Sequence, residues 1–198
     1  MNVLDFVGVY NTIPKETCNS LIKGFKKVKY TLHQWQDVDG KSLGSRKNKK
    51  EELKNYMMKE EEQNTLVPFI TDAFYQYRHN TFSLYPHLHL HNTQRIINKM
   101  SRFRLNRYDK NTNMAPHVDN IHDIFYEADT HGNERGVPIL SIIGLLNDNY
   151  KGGEFYVCNQ KINLKQGDVL IFPSNFIYPH EVKTITKGTR YSFITWGY

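Results

Sequence analysis

The sequence predicts an α+β chain in which a mainly helical first half, about residues 1–99, packs against a jelly roll formed by about residues 100–198. Three observations carry that prediction. Apolar residues recur with a helical period in the first half and alternate with a period of two in the second. The apolar runs of the second half are short and regularly interrupted by Gly, Asn, Asp and Pro. The 198 residues, 39% of them apolar, suffice for one domain with a buried core.

The elements follow in order. Pro14, after Thr12, suits the entry to a helix over 14–28, and Cys18, Leu21, Ile22 and Phe25 form its apolar stripe at i, i+3, i+4 and i+7. Residues 37–48, rich in Gly, Ser, Asp and Lys, read as an exposed loop. A strongly charged helix is expected over 51–62. Another is expected over 66–80, with Phe69, Ala73 and Tyr77 on one stripe. Residues 102–108 then alternate polar and apolar, as a half-buried strand does, and 139–146 is a continuous apolar run suited to a buried strand. Strands over 154–158, 161–164, 168–172, 180–185 and 190–196 are separated by turn signals at 148–153, 166–167, 173–175 and 187–188. Many short strands so punctuated predict a double-sheet jelly roll rather than a parallel sheet. No internal repeat stands out, so the chain reads as a single domain.

Lys and Arg number 26 against 20 Asp and Glu, and the isoelectric point is about 9.1. A basic balance permits acidic partners, nucleic acid included. Much of this charge is blended, however: Arg46–Lys50 runs into Glu51-Glu52, and Lys59 into Glu60–Glu62. That pattern reads as a solvated helix-and-loop region, with a substrate-recruiting surface as the alternative. No apolar run reaches membrane-spanning length, so no membrane association is expected. The first residues lack a basic flank followed by an apolar stretch, so they do not read as a signal peptide. Cys18 and Cys158 are too few for a disulfide framework or a thiolate zinc site. Free thiols in a reducing cytoplasm are expected, with Cys158 buried and inert.

The chemistry concentrates in His117-Val118-Asp119, answered by His180 and then by Arg190. In an extended segment residues i and i+2 project to the same side, so His117 and Asp119 can grip one ion while Val118 turns away. His180 must arrive from a distant strand. Two imidazoles and a carboxylate on one face of Fe(II) leave the opposite face open for an α-keto acid and O2, which a closed four-ligand structural site could not do. Arg190 supplies a planar fork suited to a carboxylate. In a strand over 190–196, Ser192 lies about 7 Å further along the same face, within reach of that carboxylate. Trp196 shares the face as pocket wall or core. Tyr108 could add a second hydroxyl from a neighbouring strand. His87, His89 and His91 alternate with leucines and read as a polar strand face or loop. His122 and Asp123 are adjacent, point to opposite sides and are discounted as ligands. Gly152-Gly153 reads as a turn, because no helix opening with GK[ST] follows.

The stretch from about Arg102 to Trp196, roughly half of the chain, resembles the double-stranded β-helix of the 2-oxoglutarate- and Fe(II)-dependent dioxygenases, most closely the prolyl 4-hydroxylase-like branch. The matching text is Tyr108 followed by HVDN at 117–120, Leu145-Leu146-Asn147 with Gly152-Gly153-Glu154, Gln166-Gly167-Asp168 with Phe172-Pro173, PHEV at 179–182, Thr189–Ser192 and Trp196. The resemblance implies that His117, Asp119 and His180 bind iron and that Arg190 binds the distal carboxylate of 2-oxoglutarate, touched also by Tyr108. It implies Fe(II), 2-oxoglutarate, O2 and ascorbate as cofactors or co-substrates, and a catalytic set of His117, Asp119, His180 and Arg190. The implied reaction couples oxidative decarboxylation of 2-oxoglutarate to hydroxylation of peptidyl proline or a related peptide, protein or small-molecule substrate. One departure stands out: Leu145 occupies a position where some protein prolyl hydroxylases carry a second tyrosine. The compact build resembles that of short bacteriophage-encoded members, for which the host cytoplasm is the expected location.

Two other functions compete. A nucleic-acid demethylase of the same superfamily suits the basic charge, but the text from Arg190 to Trp196 lacks the second arginine usual there. A catalytically silent jelly-roll binding module would have no need of three ligands and a carboxylate anchor. Residues 36–62 and 120–137 are candidates for a lid over the site. The sequence does not indicate an oligomeric state.

Overall fold

Two antiparallel sheets face one another in the computed structural model, which describes residues 2–36, 42–48, 51–86, 97, 99–119 and 138–198. In chain order the elements are β1 (Gly8–Asn11), α1 (Lys15–Phe25), β2 (Thr31–Leu32), β3 (Trp35–Gln36), β4 (Ser42–Gly44), β5 (Lys54–Met57), α2 (Glu60–Leu84), β6 (Arg104–Tyr108), β7 (Met114–His117) and β8 (Leu140–Leu145). They continue with β9 (Lys151–Gly152), β10 (Phe155–Val157), β11 (Gln160–Ile162), β12 (Asp168–Pro173), β13 (His180–Val182), β14 (Ile185–Lys187) and β15 (Arg190–Gly197). The larger sheet runs β1-β12-β8-β15-β6-β5-β2 and the smaller β11-β10-β13-β7. This is an α+β jelly roll, as the strand pattern predicts.

Helix α1 begins directly after Pro14 and buries Cys18 and Phe25, with Leu21 and Ile22 packed beside them. Helix α2 starts with Glu60, Glu61 and Glu62, whose charges suit the positive end of the helix dipole. Its buried residues Leu66, Ile70, Ala73, Phe74, Tyr77 and Thr81 keep a helical spacing. Gln63 ties this helix to the sheet, accepting from the Phe103 amide at 3.0 Å and donating to the Met58 carbonyl at 3.0 Å.

Residues 51–62 do not form the expected helix. Lys54–Met57 is instead a strand that pairs with β6, and the helix begins only at Glu60. Glu, Leu, Lys and Met favour helix locally, but cross-strand pairing and packing of Tyr56 against Phe25 and Tyr30 override that preference. The first half thus contributes strands β1, β2 and β5 to the main sheet as well as the two helices. The expected strand over 180–185 is divided into β13 and β14, which pair with different partners. Part of the expected loop at 37–48 pairs as β4 with β3. Residues 87, 89, 91, 122 and 123 and the candidate lid at 120–137 lie outside the described residues.

Alternation along each strand separates two cores. Tyr191 and Phe193 of β15 join Leu105, Ile142, Val169, Ile171 and the helices in one apolar cluster. On the other face Ile194, with Trp196 against it, joins Tyr108, Ile143, Leu170, Phe172, Phe155 and Val182 between the sheets. Gly144 lies where this arrangement is tightest: a Cβ there would come within 2.1 Å of the Phe193 ring, itself stacked on Phe103 with centroids 5.6 Å apart. Gly144→Ala is therefore expected to destabilise the fold by about 1–3 kcal/mol, as overpacking does, read as a lowered urea midpoint.

Both cysteines are free. Cys18 is buried, and burial pushes its thiol up to about 11. Cys158 is only partly buried, not fully as expected, because it sits at the turn after β10; desolvation still raises its pKa, so the thiolate is disfavoured. No helix among the described residues is long and apolar enough to cross a membrane.

Candidate metal centre and co-substrate cradle

The inner face of the jelly roll gathers the polar residues singled out in the sequence. Strands β7 and β13 pair so that His117 and His180 are direct cross-strand partners, and their rings lie 4.2 Å apart. Asp119 follows two residues beyond His117 and points the same way, as extended backbone requires. One donor atom from each of His117, Asp119 and His180 falls within 4.8 Å of the others. The Nε2 atoms of His117 and His180 stand 3.8 and 3.7 Å from Asp119 carboxylate oxygens. That is too long for good hydrogen bonds and right for donors converging on one ion.

Each donor is held from behind. His117 Nδ1 meets the Ala115 carbonyl at 2.8 Å and His180 Nδ1 meets the Tyr178 carbonyl at 3.1 Å. With the proton on Nδ1, the lone pair of Nε2 faces the other ligands. Asp119 Oδ2 accepts from the Ser141 hydroxyl at 2.7 Å and the Trp196 indole at 3.0 Å, and Ser174 donates to its backbone carbonyl at 3.2 Å. His180 is packed against the rings of Phe155 and Phe172.

This setting fixes protonation. Burial pushes the Asp119 carboxyl up, but the two imidazoles together with the Ser141 and Trp196 hydrogen bonds outweigh it and hold the group below the usual carboxylate value. Burial lowers the pKa of His180 against the opposing pull of Asp119, so its imidazole is neutral near pH 7. An ionised carboxylate and a neutral imidazole are the forms that bind metal. The donor set of two nitrogens and one oxygen suits Fe(II) with open coordination positions.

Arg190 is 1% exposed and lies opposite Tyr108 in the β15–β6 pair, its guanidinium 5.0 Å from the Tyr108 ring centre. Its Nη1 donates to the Ser192 hydroxyl at 2.6 Å, while its Nε is buried with no partner. No acidic side chain among the described residues pairs with it. A buried cation with an unused donor is costly unless an anion arrives to complete it. Leu145 lies across from Ser192, leaving this side of the cradle apolar, as its place in the sequence predicts.

Four residues, Ser141, Ser174, Arg104 and His33, and one contact of a residue already singled out, Trp196, escaped the sequence reading. Ser141 was visible as the lone hydroxyl in an otherwise apolar buried run, but nothing local links it to Asp119. Ser174 and the indole contact of Trp196 depend on distant strands. Arg104 and His33, both close to the triad, gave no sequence signal beyond the polar positions of alternating segments.

Residues 103–198 match the model of the 2OG-Fe(II) oxygenase superfamily. A PKHD-type hydroxylase of Delftia acidovorans is 31% identical over 97 residues, which cover 47% of this chain and 41% of that protein. The chain thus matches about two fifths of the length of such curated relatives. Among solved structures, a prolyl hydroxylase from Trichoplax adhaerens, in complex with a peptide of the hypoxia inducible factor oxygen degradation domain, superposes with TM-score 0.66 at 14% identity, covering 98% of this chain and 84% of that one. A prolyl-4-hydroxylase of Pseudomonas putida superposes with TM-score 0.61 at 13% identity, covering 97% and 91%. The β-half of the chain is thus similar to the 2OG-Fe(II) oxygenase superfamily. Its fold as a whole is that of the prolyl hydroxylases.

Proposed function

We propose that this chain is a 2-oxoglutarate- and Fe(II)-dependent oxygenase, hydroxylating a proline or related residue of a peptide substrate with release of succinate and CO2. The observation that carries this reading is the pairing of two incomplete sites on one inner face. His117, Asp119 and His180 converge their donors without an ion's full complement of ligands, and Arg190 holds an unmatched buried charge beyond them. A keto diacid would fit that gap: its keto-acid end would complete a metal held by the triad, and its distal carboxylate would pair with Arg190 and Ser192. The peptide class rests on the fold shared with prolyl hydroxylases and on the hydroxylase relatives.

Fe(II) bound at the triad would supply activation of O2 coupled to decarboxylation of the keto acid. The chain's own residues do the rest. Ser141 and Trp196 fix the rotamer of Asp119. The backbone carbonyls of Ala115 and Tyr178 set the tautomers of the two histidines. Tyr108 and Leu145 flank the carboxylate fork, and Phe155, Phe172 and Ile194 keep bulk water from the reacting face.

The experiment is a turnover assay with Fe(II), 2-oxoglutarate and a panel of proline-containing peptides, reading succinate and a product mass gain of one oxygen. Absence of succinate under all conditions, with the fold intact, would overturn the reading. Ser141→Ala removes one hydrogen bond from Asp119 and is expected to weaken iron binding about 10-fold or more, the scale on which outer-shell partners act; a metal titration checks it. Because metal needs neutral imidazole, iron affinity is expected to fall in acid, as pH drops through the depressed value of His180. The depressed pKa of His180 defers its own protonation to lower pH. A dissociation constant that stays unchanged in acid for as long as the protein remains folded contradicts this.

A further inference from the structure

We propose that Arg104 anchors a carboxylate of the primary substrate beside the metal, making this oxygenase selective for a substrate that carries one. This rests on the oxygenase reading above and names its substrate chemistry.

Strand alternation sends Arg104, Asn106 and Tyr108 to the inner face, opposite Ile194, Ser192 and Arg190 of β15. The Arg104 guanidinium lies over the Trp196 ring, 5.4 Å from its centre, and Trp196 in turn donates to Asp119. Arg104 therefore stands at the triad's end of the β15 face, four residues along β6 from Tyr108, which faces Arg190. Its Nε is shielded from solvent and has no partner. Asp119 is the neighbouring charge that favours its protonated form; burial is the larger influence and disfavours it. An arginine nonetheless stays protonated in proteins.

The surroundings repeat the pattern. The side-chain oxygens of Asn55 and Asn106 are buried without partners, and these residues are cross-strand neighbours. His33 meets Asn55 at 3.1 Å. Burial, then Arg104, push His33 down to about 4, so it is neutral near pH 7. The result is a stretch of the inner face with a half-buried cation that has no carboxylate hydrogen-bonded to it and two acceptors without hydrogen-bond partners.

Charge balance points the same way. A divalent ion and Arg190 together match the charges of Asp119 and a doubly ionised keto diacid. Arg104, half-buried on the same face, is then left as a surplus positive charge, which one further carboxylate would neutralise. The acceptors of Asn55 and Asn106 suit an N–H group near that carboxylate. An amino acid with a free α-carboxylate and a peptide with an acidic side chain both present this combination.

The test loads the protein with Mn(II) and 2-oxoglutarate and measures Mn(II)-induced proton relaxation of added probes, a binding readout independent of turnover. Two probe pairs separate the sources: L-proline against L-prolinamide, and N-acetyl-prolyl-aspartyl-amide against its asparaginyl counterpart. In at least one pair the carboxylate member is expected to bind about tenfold more tightly or better, as charge-assisted hydrogen bonds allow. Arg104→Met and, separately, Asn106→Asp should each reduce that preference to roughly threefold or less. Equal or absent relaxation for both members of each pair overturns the proposal, as does a preference that survives both substitutions. Failure to load Mn(II) or 2-oxoglutarate in the first place overturns the oxygenase reading itself, a separate and recognisable result.

Discussion

His180→Ala is expected to abolish turnover and to lower iron affinity by more than about 100-fold, beyond the range that outer-shell changes produce. The imidazole is buried at 4% exposure, with Nδ1 on the Tyr178 carbonyl and Nε2 directed at Asp119. Alanine removes a ligand that no neighbour can replace: the rings of Phe155 and Phe172 pack around it, and neither offers a donor atom. Water could fill the vacated position but would bring none of the preorganisation. Iron retained after gel filtration and succinate formation together check this. A urea titration separates metal loss from unfolding, since the substitution also leaves a cavity between the sheets. Full iron content in a folded His180→Ala protein would remove His180 from the ligand set.

Arg190→Ala is expected to raise the dissociation constant for 2-oxoglutarate by about 10- to 100-fold, the value of a charge-assisted pair in a shielded site. Iron affinity in the absence of co-substrate should change little, because the guanidinium is bonded to Ser192 rather than to the triad. Arg190→Lys keeps the charge but loses the planar fork and the contact with the Tyr108 ring, so an intermediate affinity is expected. Calorimetric titration of 2-oxoglutarate into the metal-loaded protein reads both effects. An Arg190→Ala protein with undiminished 2-oxoglutarate affinity would remove Arg190 from the cradle.

Much of this centre was legible in the sequence because it obeys local geometry. Residues two apart on extended backbone must share a side, which joins His117 to Asp119 and Arg190 to Ser192 without any knowledge of the fold. The same rule sends Tyr191 and Phe193 to the opposite core. What escaped depends on pairing between distant segments. Lys54–Met57 has helix-favouring composition and becomes a strand only because β6 offers an edge. Ser141 and Trp196 meet Asp119 through β8 and β15, whose register no single segment specifies. Arg104 looked like one polar position in an alternating run, and its shielded, unpartnered Nε and its stacking on Trp196 distinguish it from a solvated arginine.

The eight residues of β15 carry the polar groups of the proposed cradle on one side and helix packing on the other. An inserted residue between Arg190 and Trp196 would invert the downstream faces, exchanging aromatic bulk for the polar groups of the cavity. Two inserted residues would restore the faces yet separate the carboxylate fork from the indole by a further 7 Å or so. Insertions and deletions are therefore expected to be tolerated in the turns on either side, while this segment tolerates only substitution in place.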